Sequence, residues 1–289
     1  MGFNIKTTEL LIRSQKLKID FTSIATLGRQ TLNGSFVEFQ RLFKRLDFDQ
    51  KHISEIISRE NRYSESFLKA LGAKEIVTFD ASDYEGASQV WDMNLPIADV
   101  FKERYSLMID SGSLEHIFNF PQALKNCMEM VKLDGHMIGI TPANNFFGHG
   151  FYQFSPELFF RVFTQSNGFE LVKMWLFFPE SSSSIYEVKD PLEVQNRVSL
   201  MNSKETFLFY VAKRIEIKDV FAIAPQQSDY EHQVWKSKPG DEKSKKVRGR
   251  LPSFLVPFIL SLLRVWKNLR SVSNPLGTAN QDYFKKVKF

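Results

Sequence analysis

Apolar residues occur in this chain as short unbroken blocks and as helically spaced series, and the two kinds alternate through most of its length. FTSIATL (21–27), EIVTF (75–79), YSLMI (105–109) and MIGI (137–140) are blocks with little alternation. That is the pattern of strands covered on both faces. Phe120, Leu124, Met128 and Val131 recur at helical spacing, which predicts a helix stopping at Asp134-Gly135. Further helices are expected around 36–46 and 53–57, over 63–71 ahead of Gly72, and over 155–163. In the last of these Ser155 is the N-cap and Pro156 holds the first position. Val90-Trp91 predicts a very short strand. The aromatic-rich runs 170–178 and 205–212 read as two long closing strands, antiparallel neighbours, with 181–203 a polar loop between them.

Strand, helix and strand in succession make an α/β fold, and in open α/β sheets ligands bind in the crevice at the carboxyl ends of the strands. At 289 residues and 43% hydrophobic, the chain can bury a substantial core. We read 1–20 as a polar, basic extension, 21–214 as the folded domain with a helical insertion at about 29–61, and 215–289 as a basic linker with an amphipathic tail. The net charge of +5 is concentrated in KSKPGDEKSKKVRGR (236–250). After it, FLVPFILSLLRVW suits an interfacial helix on anionic lipid, so 236–270 is a candidate peripheral membrane contact. Docking on the domain or on a second subunit suits it equally. The lone Cys127 excludes a disulfide framework and a cysteine-built metal centre, and no metal is expected. With no apolar leader and no run of ~18–20 apolar residues, a cytoplasmic location is expected.

Acids close several of the blocks. Asp80, at the end of EIVTFD, can accept both hydroxyls of a ribose. Asp92 can take an exocyclic amine, and Ala81 and Met93 can sandwich a flat base. Asp110 ends an apolar strand, where an acid needs a partner or a ligand. Glu115 and His116 in the following turn are either acid/base groups or structural groups of the turn. The loop TPANNFFGHGFYQFSPE (141–157) carries more polar groups than a connection requires. Asn144, Asn145 and Tyr152 are candidate substrate contacts, and His149, between two glycines, is a candidate base. The competing reading is a rigid loop whose aromatic residues complete the core.

VTFDASD, DMN, IDSGSLEHI and LDGHMIGITP together resemble the class I S-adenosylmethionine-dependent methyltransferases, of the methyltransferase type 11-like kind, over residues 21–213. The resemblance implies a Rossmann-like three-layer sandwich with a mostly parallel seven-stranded sheet and an antiparallel last strand. It implies S-adenosyl-L-methionine as cofactor, with Asp110 and Ser111 beside it and the SGSLEH turn as a wall of its site. TLGRQTLNG stands where the family carries a glycine-rich loop. Gly28 can still admit the cofactor, and Arg29 or Gln30 can meet its carboxylate. The implied reaction moves a methyl group to an oxygen or nitrogen of a small-molecule or saccharide-type acceptor, with His149 as base. The alternative is an inactive scaffold of this fold that binds a partner or membrane through its tail. A nicotinamide enzyme is disfavoured by the missing G-x-G-x-x-G. Nucleic acid ranks last, because no RNA or DNA module accompanies the basic arm.

Overall fold

In a computed structural model of the chain, the structure describes residues 2–57, 62–180, 182–231 and 277–288. They divide into two units, Met1–Ile185 with Lys204–Pro225, and Tyr186–Ser203 with Gln226–Phe289.

The apolar blocks form the sheet of the first unit. Its strands are β2 (Ser23–Leu27), β4 (Glu75–Asp80), β5 (Gln89–Val90), β6 (Tyr105–Ser111), β7 (Val131–Asn144), β8 (Phe169–Phe177) and β10 (Thr206–Arg214). They lie in the order β8-β10-β7-β6-β2-β4-β5. From β7 through β6, β2 and β4 to β5 all neighbours are parallel, whereas β10 is antiparallel to both β7 and β8. Every residue of β6 is buried, so both of its faces are covered, which is why its sequence does not alternate. Helix α5 (Phe120–Met130) packs against β6 and β7, and α6 (Pro156–Val162) against β8. The Ser155 hydroxyl caps α6 by accepting from Glu157 N. The mostly parallel seven-stranded sheet with an antiparallel last strand is thus present in this unit.

Three local expectations change. First, α5 ends at Met130 and β7 begins at once, because Val131 already pairs with Tyr105. Asp134-Gly135 is an irregularity inside β7 instead of a helix stop. Asp134 takes a left-handed φ of 61°, and the register with β6 shifts there before pairing resumes at His136. Second, residues 1–20 contain β1 (Gly2–Asn4) and α1 (Ile5–Ser14), and nearly all of α1 is buried. Strand β1 pairs in parallel with β3 (Thr31–Asn33), so the segment after β2 opens with a strand before its helices α2 (Phe36–Leu46) and α3 (Ile53–Ile56). Helix α4 (Glu65–Ala70) then leads to β4.

Third, the run expected as a loop at 181–203 holds two elements of the second unit. These are β9 (Tyr186–Val188) and α7 (Pro191–Val194), which Asp190 caps. In that unit β9 pairs antiparallel with β11 (Phe284–Lys286), so the chain has more strands than the seven expected. The unit also contains the short α8 (Ser228–Glu231). Among the described residues no helix is long and apolar enough to cross a membrane. The whole of the candidate membrane contact at 236–270 lies, like the rest of 232–276, outside the described residues.

Candidate functional site

Three adjacent parallel strands, β2, β4 and β5, end on one cavity of about 240 Å³, and the turn after β6 closes it. Strand β2 contributes Leu27 and Gly28, β4 contributes Phe79, Asp80 and Ala81, and the segment after β5 contributes Trp91, Asp92, Met93 and Asn94. Ser113, His116 and Ile117 come from the turn. Six residues singled out from sequence, Gly28, Asp80, Ala81, Asp92, Met93 and His116, therefore meet at one place.

Local chemistry explains the positions. Gly28 has a left-handed φ of 72° and donates its N–H to Phe79 O at 2.7 Å, which locks the end of β2 to β4. A side chain there would be strained. Asp80 accepts from Ser82 N at 3.2 Å and is half-buried. Asp92 is exposed and accepts from the Asn94 backbone N at 2.9 Å and Asn94 Nδ2 at 2.7 Å, and these two bonds hold its carboxyl below the usual range. Trp91 N donates to Asp80 O at 2.7 Å, tying the two acidic strand ends together. The indole Nε1 of Trp91 is buried without a protein partner.

Arg29 and Gln30 do not line the cavity. Arg29 Nε meets Glu65 Oε1 at 2.6 Å, its Nη1 donates to Glu85 O at 2.9 Å, and its guanidinium lies 3.7 Å over the Tyr63 ring. Gln30 is 1% exposed and donates to Leu27 O at 2.7 Å, bracing the turn from below. Asp110 and Ser111 are buried and also absent from the lining. One oxygen of Asp110 accepts from Ser113 N at 3.0 Å and Leu114 N at 3.3 Å, so the acid shapes the turn. Its other oxygen has no partner, and burial pushes the carboxyl up to about 7 against those two hydrogen bonds.

The loop after β7 folds onto the same turn. Phe151 N and Tyr152 N both donate to Glu115 O, at 2.8 and 3.3 Å, and the Tyr152 hydroxyl donates to Phe118 O at 2.6 Å. His149, 48% exposed, places Nε2 3.4 Å from Glu115 Oε1, and its ring stands edge-on to His116 at 4.9 Å between centroids. Glu115 is 1% exposed. Burial and then the Asp110 charge push its carboxyl up to about 8. Burial and the neighbouring His149 hold His116 below its ordinary value. Asn145, at φ 64°, donates to Lys204 O at 2.6 Å, and Asn144 pairs in register with Thr206. Of the expected substrate contacts, Tyr152 borders the turn, as does the candidate base His149, whereas the backbone of Asn144 pairs with β10 and the Asn145 side chain bonds just ahead of it.

Sequence reasoning missed Trp91 and Asn94 as cavity walls, and it missed the meeting of Glu115, His116 and His149; the SGSLEH turn, expected as a wall, does line the cavity through Ser113 and His116. Trp91 and Asn94 sit one and two residues from Asp92, an acid that was noticed. The cluster had no local signal, because α5 and β7 intervene between the turn and the loop.

No family model matches the chain, and no curated protein matches it in sequence. Solved structures resemble it in fold. NodS, an N-methyltransferase from Bradyrhizobium japonicum WM9, aligns over 72% of this chain and 94% of its own at 11% identity, with a TM-score of 0.40. Its complex with S-adenosyl-L-homocysteine aligns over 72% of this chain and 86% of its own at 11% identity, with a TM-score of 0.39. The Burkholderia thailandensis 1,6-didemethyltoxoflavin-N1-methyltransferase was solved with 1,6-didemethyltoxoflavin and S-adenosylhomocysteine. It aligns over 73% of this chain and 78% of its own at 8% identity, with a TM-score of 0.40. At these values the alignments carry nothing about activity or substrate. Its own strand order, with an antiparallel β10 between β7 and β8, gives the chain a Rossmann-like α/β fold with a mostly parallel sheet.

Proposed function

We propose that the chain is an S-adenosylmethionine-dependent methyltransferase acting on an oxygen or nitrogen of a small-molecule or saccharide-type acceptor. The observation that carries this reading is the convergence of Gly28, Asp80 and Asp92 on one cavity at the carboxyl ends of three adjacent strands. The residues present fit the cofactor. Asp80 has capacity to accept ribose hydroxyls, since among the described residues its carboxylate accepts from Ser82 N alone. Asp92, anchored by Asn94, keeps its charge and can accept an amine. Ala81 and Met93 offer apolar surface to a flat base, and the unpartnered Trp91 Nε1 is a spare donor in the same wall.

When bound, the cofactor supplies an electrophilic methyl group. The protein's part is alignment, which alone accounts for a large share of rate enhancement in such transfers. On the acceptor side, His116 lines the cavity and the Glu115–His116–His149 cluster manages the acceptor's proton.

Calorimetric titration with S-adenosylmethionine and S-adenosylhomocysteine tests the reading. Binding by the wild type and its loss in Asp80→Ala support it. A folded wild-type protein that gives no heat with either ligand overturns it and leaves the inactive scaffold.

A further inference from the structure

Glu115 is an anomaly in a turn that otherwise satisfies its polar groups. It sits 1% exposed, with one carboxylate oxygen 3.4 Å from His149 Nε2 and the other buried without a partner among the described residues. A buried carboxylate normally pairs with a cation or a set of donors. Here the surroundings aggravate the burial, because the nearest acid is Asp110, itself buried. Close to the Glu115 carboxylate stand two exposed imidazoles, His116 and His149. One potential ligand atom from each of Glu115, His116 and His149 falls within 4.8 Å of the others.

We propose that Glu115, His116 and His149 bind one divalent first-row transition-metal ion. Two imidazoles and one carboxylate are a borderline donor set that suits zinc, cobalt, nickel or iron(II) better than magnesium or calcium. Tetrahedral ligands at ~2.0–2.2 Å from a shared ion are about 3.4 Å apart, so the widest pair closes by roughly 1.4 Å. The exposed His149 side chain, on a loop with glycines on either side, supplies that movement. Its backbone is already held, through His149 N to Phe146 O at 3.0 Å and Phe151 N to Glu115 O at 2.8 Å. Three protein ligands leave coordination positions open, and His116 sets the ion at the edge of the cavity.

Resting on the methyltransferase reading, the site narrows the acceptor to one that can coordinate the ion through a hydroxyl. The ion lowers the pKa of that hydroxyl, whose proton leaves to solvent. The oxygen then forms a bond to the methyl carbon as the carbon–sulfur bond breaks, and that electron pair stays on sulfur. His149 serves as a ligand in this arrangement, so the role expected of it as a lone base passes to the ion.

Titration of the full, tag-free chain with Co²⁺ and Zn²⁺ decides the matter, with S-adenosylhomocysteine binding measured in parallel in the presence of chelator. Expected is uptake of one ion per chain with visible cobalt absorption. Uptake should weaken at least ~10–100-fold in His149→Ala and Glu115→Gln, since loss of even an outer partner has that effect on metal sites. Asp80→Ala should lose the nucleoside and keep the ion. His149 is a surface residue, so His149→Ala tests the site even where Glu115→Gln disturbs folding. A wild type that takes up no ion, or a His149→Ala protein that binds as tightly, overturns the proposal. Ion uptake without any nucleoside binding would instead overturn the methyltransferase reading and leave the metal site standing.

Discussion

Asp80 and Asp92 stand at the carboxyl ends of β4 and β5, and Asp110 and Glu115 at or just past the end of β6, yet the two pairs live in opposite surroundings. Asp80 is half-buried and Asp92 exposed, and both face the cavity. Asp110 and Glu115 are 0% and 1% exposed, each with an orphan oxygen, and burial drives both carboxyls upward. A strand end therefore does not by itself assign an acid to a ligand. The solvated pair can release hydrogen-bonding capacity to a nucleoside at little cost to the fold. The buried pair is committed: Asp110 to the turn's N–H groups, Glu115 to whatever cation reaches it.

Substitutions can break this contrast, and the largest effect is expected at Asp110. Asp110→Ala removes the acceptor of the Ser113 and Leu114 amides, and a buried group left unsatisfied costs ~1–3 kcal/mol. We expect a loss of about 3 kcal/mol in urea unfolding; a loss under about 1 kcal/mol would show the turn is held by something else. Next comes Asp80→Ala, which should change stability by no more than about 0.5 kcal/mol while weakening S-adenosylhomocysteine binding ~10–100-fold in calorimetry. If it unfolds the protein as Asp110→Ala does, the contrast between the pairs fails.

The pH dependence sharpens it further. The folded-state pKa of Asp110, about 7, lies above its ordinary 3.8, so between those values the folded protein binds the extra proton. Stability on this account is full below about pH 4 and declines as pH rises towards 7, by at most ~1.4 kcal/mol per pH unit. Asp110→Asn, measured with chelator present, should flatten that decline. An unchanged slope in the variant would remove Asp110 as its source.

Much of the scaffold was legible because the apolar blocks had no alternation and the acids ended them. Phe36–Leu46 and the strand ending at Asp80 fell where the periodicity put them. The cavity residues Asp80, Ala81, Asp92 and Met93 were legible for the same reason, being consecutive with strand ends. The start of β7 was not, because Val131 fits a helical stripe as well as a strand, and only pairing with Tyr105 decides between them. Nor was the Glu115–His149 approach, which arises when the loop after β7 bonds back to the Glu115 carbonyl. Contacts made by closure of a loop leave no periodic trace. Strand β9 and helix α7 were masked by the polar composition of their segment.

The smallest expected effect concerns Arg29, where the sequence placed a cofactor contact and the structure shows a brace. Its guanidinium joins Glu65 on α4 to the Glu85 carbonyl and lies over Tyr63. It thereby ties the loop after β2 to the segments on either side of β4. This explains how a loop with a single glycine at its start keeps the cavity open: three contacts to one cation do what backbone compactness does in a glycine-rich turn. The pair is partly exposed, so Arg29→Ala should lose only about 1 kcal/mol of stability. S-adenosylhomocysteine affinity should stay within about threefold, less than the 1.4 kcal/mol that a tenfold change represents. A drop of tenfold or more, with stability unchanged, would mean that the guanidinium turns from Glu65 to the cofactor's carboxylate on binding. The loop after β2 would then belong with Asp80 and Asp92 as a ligand-facing element and not with Asp110 as part of the frame.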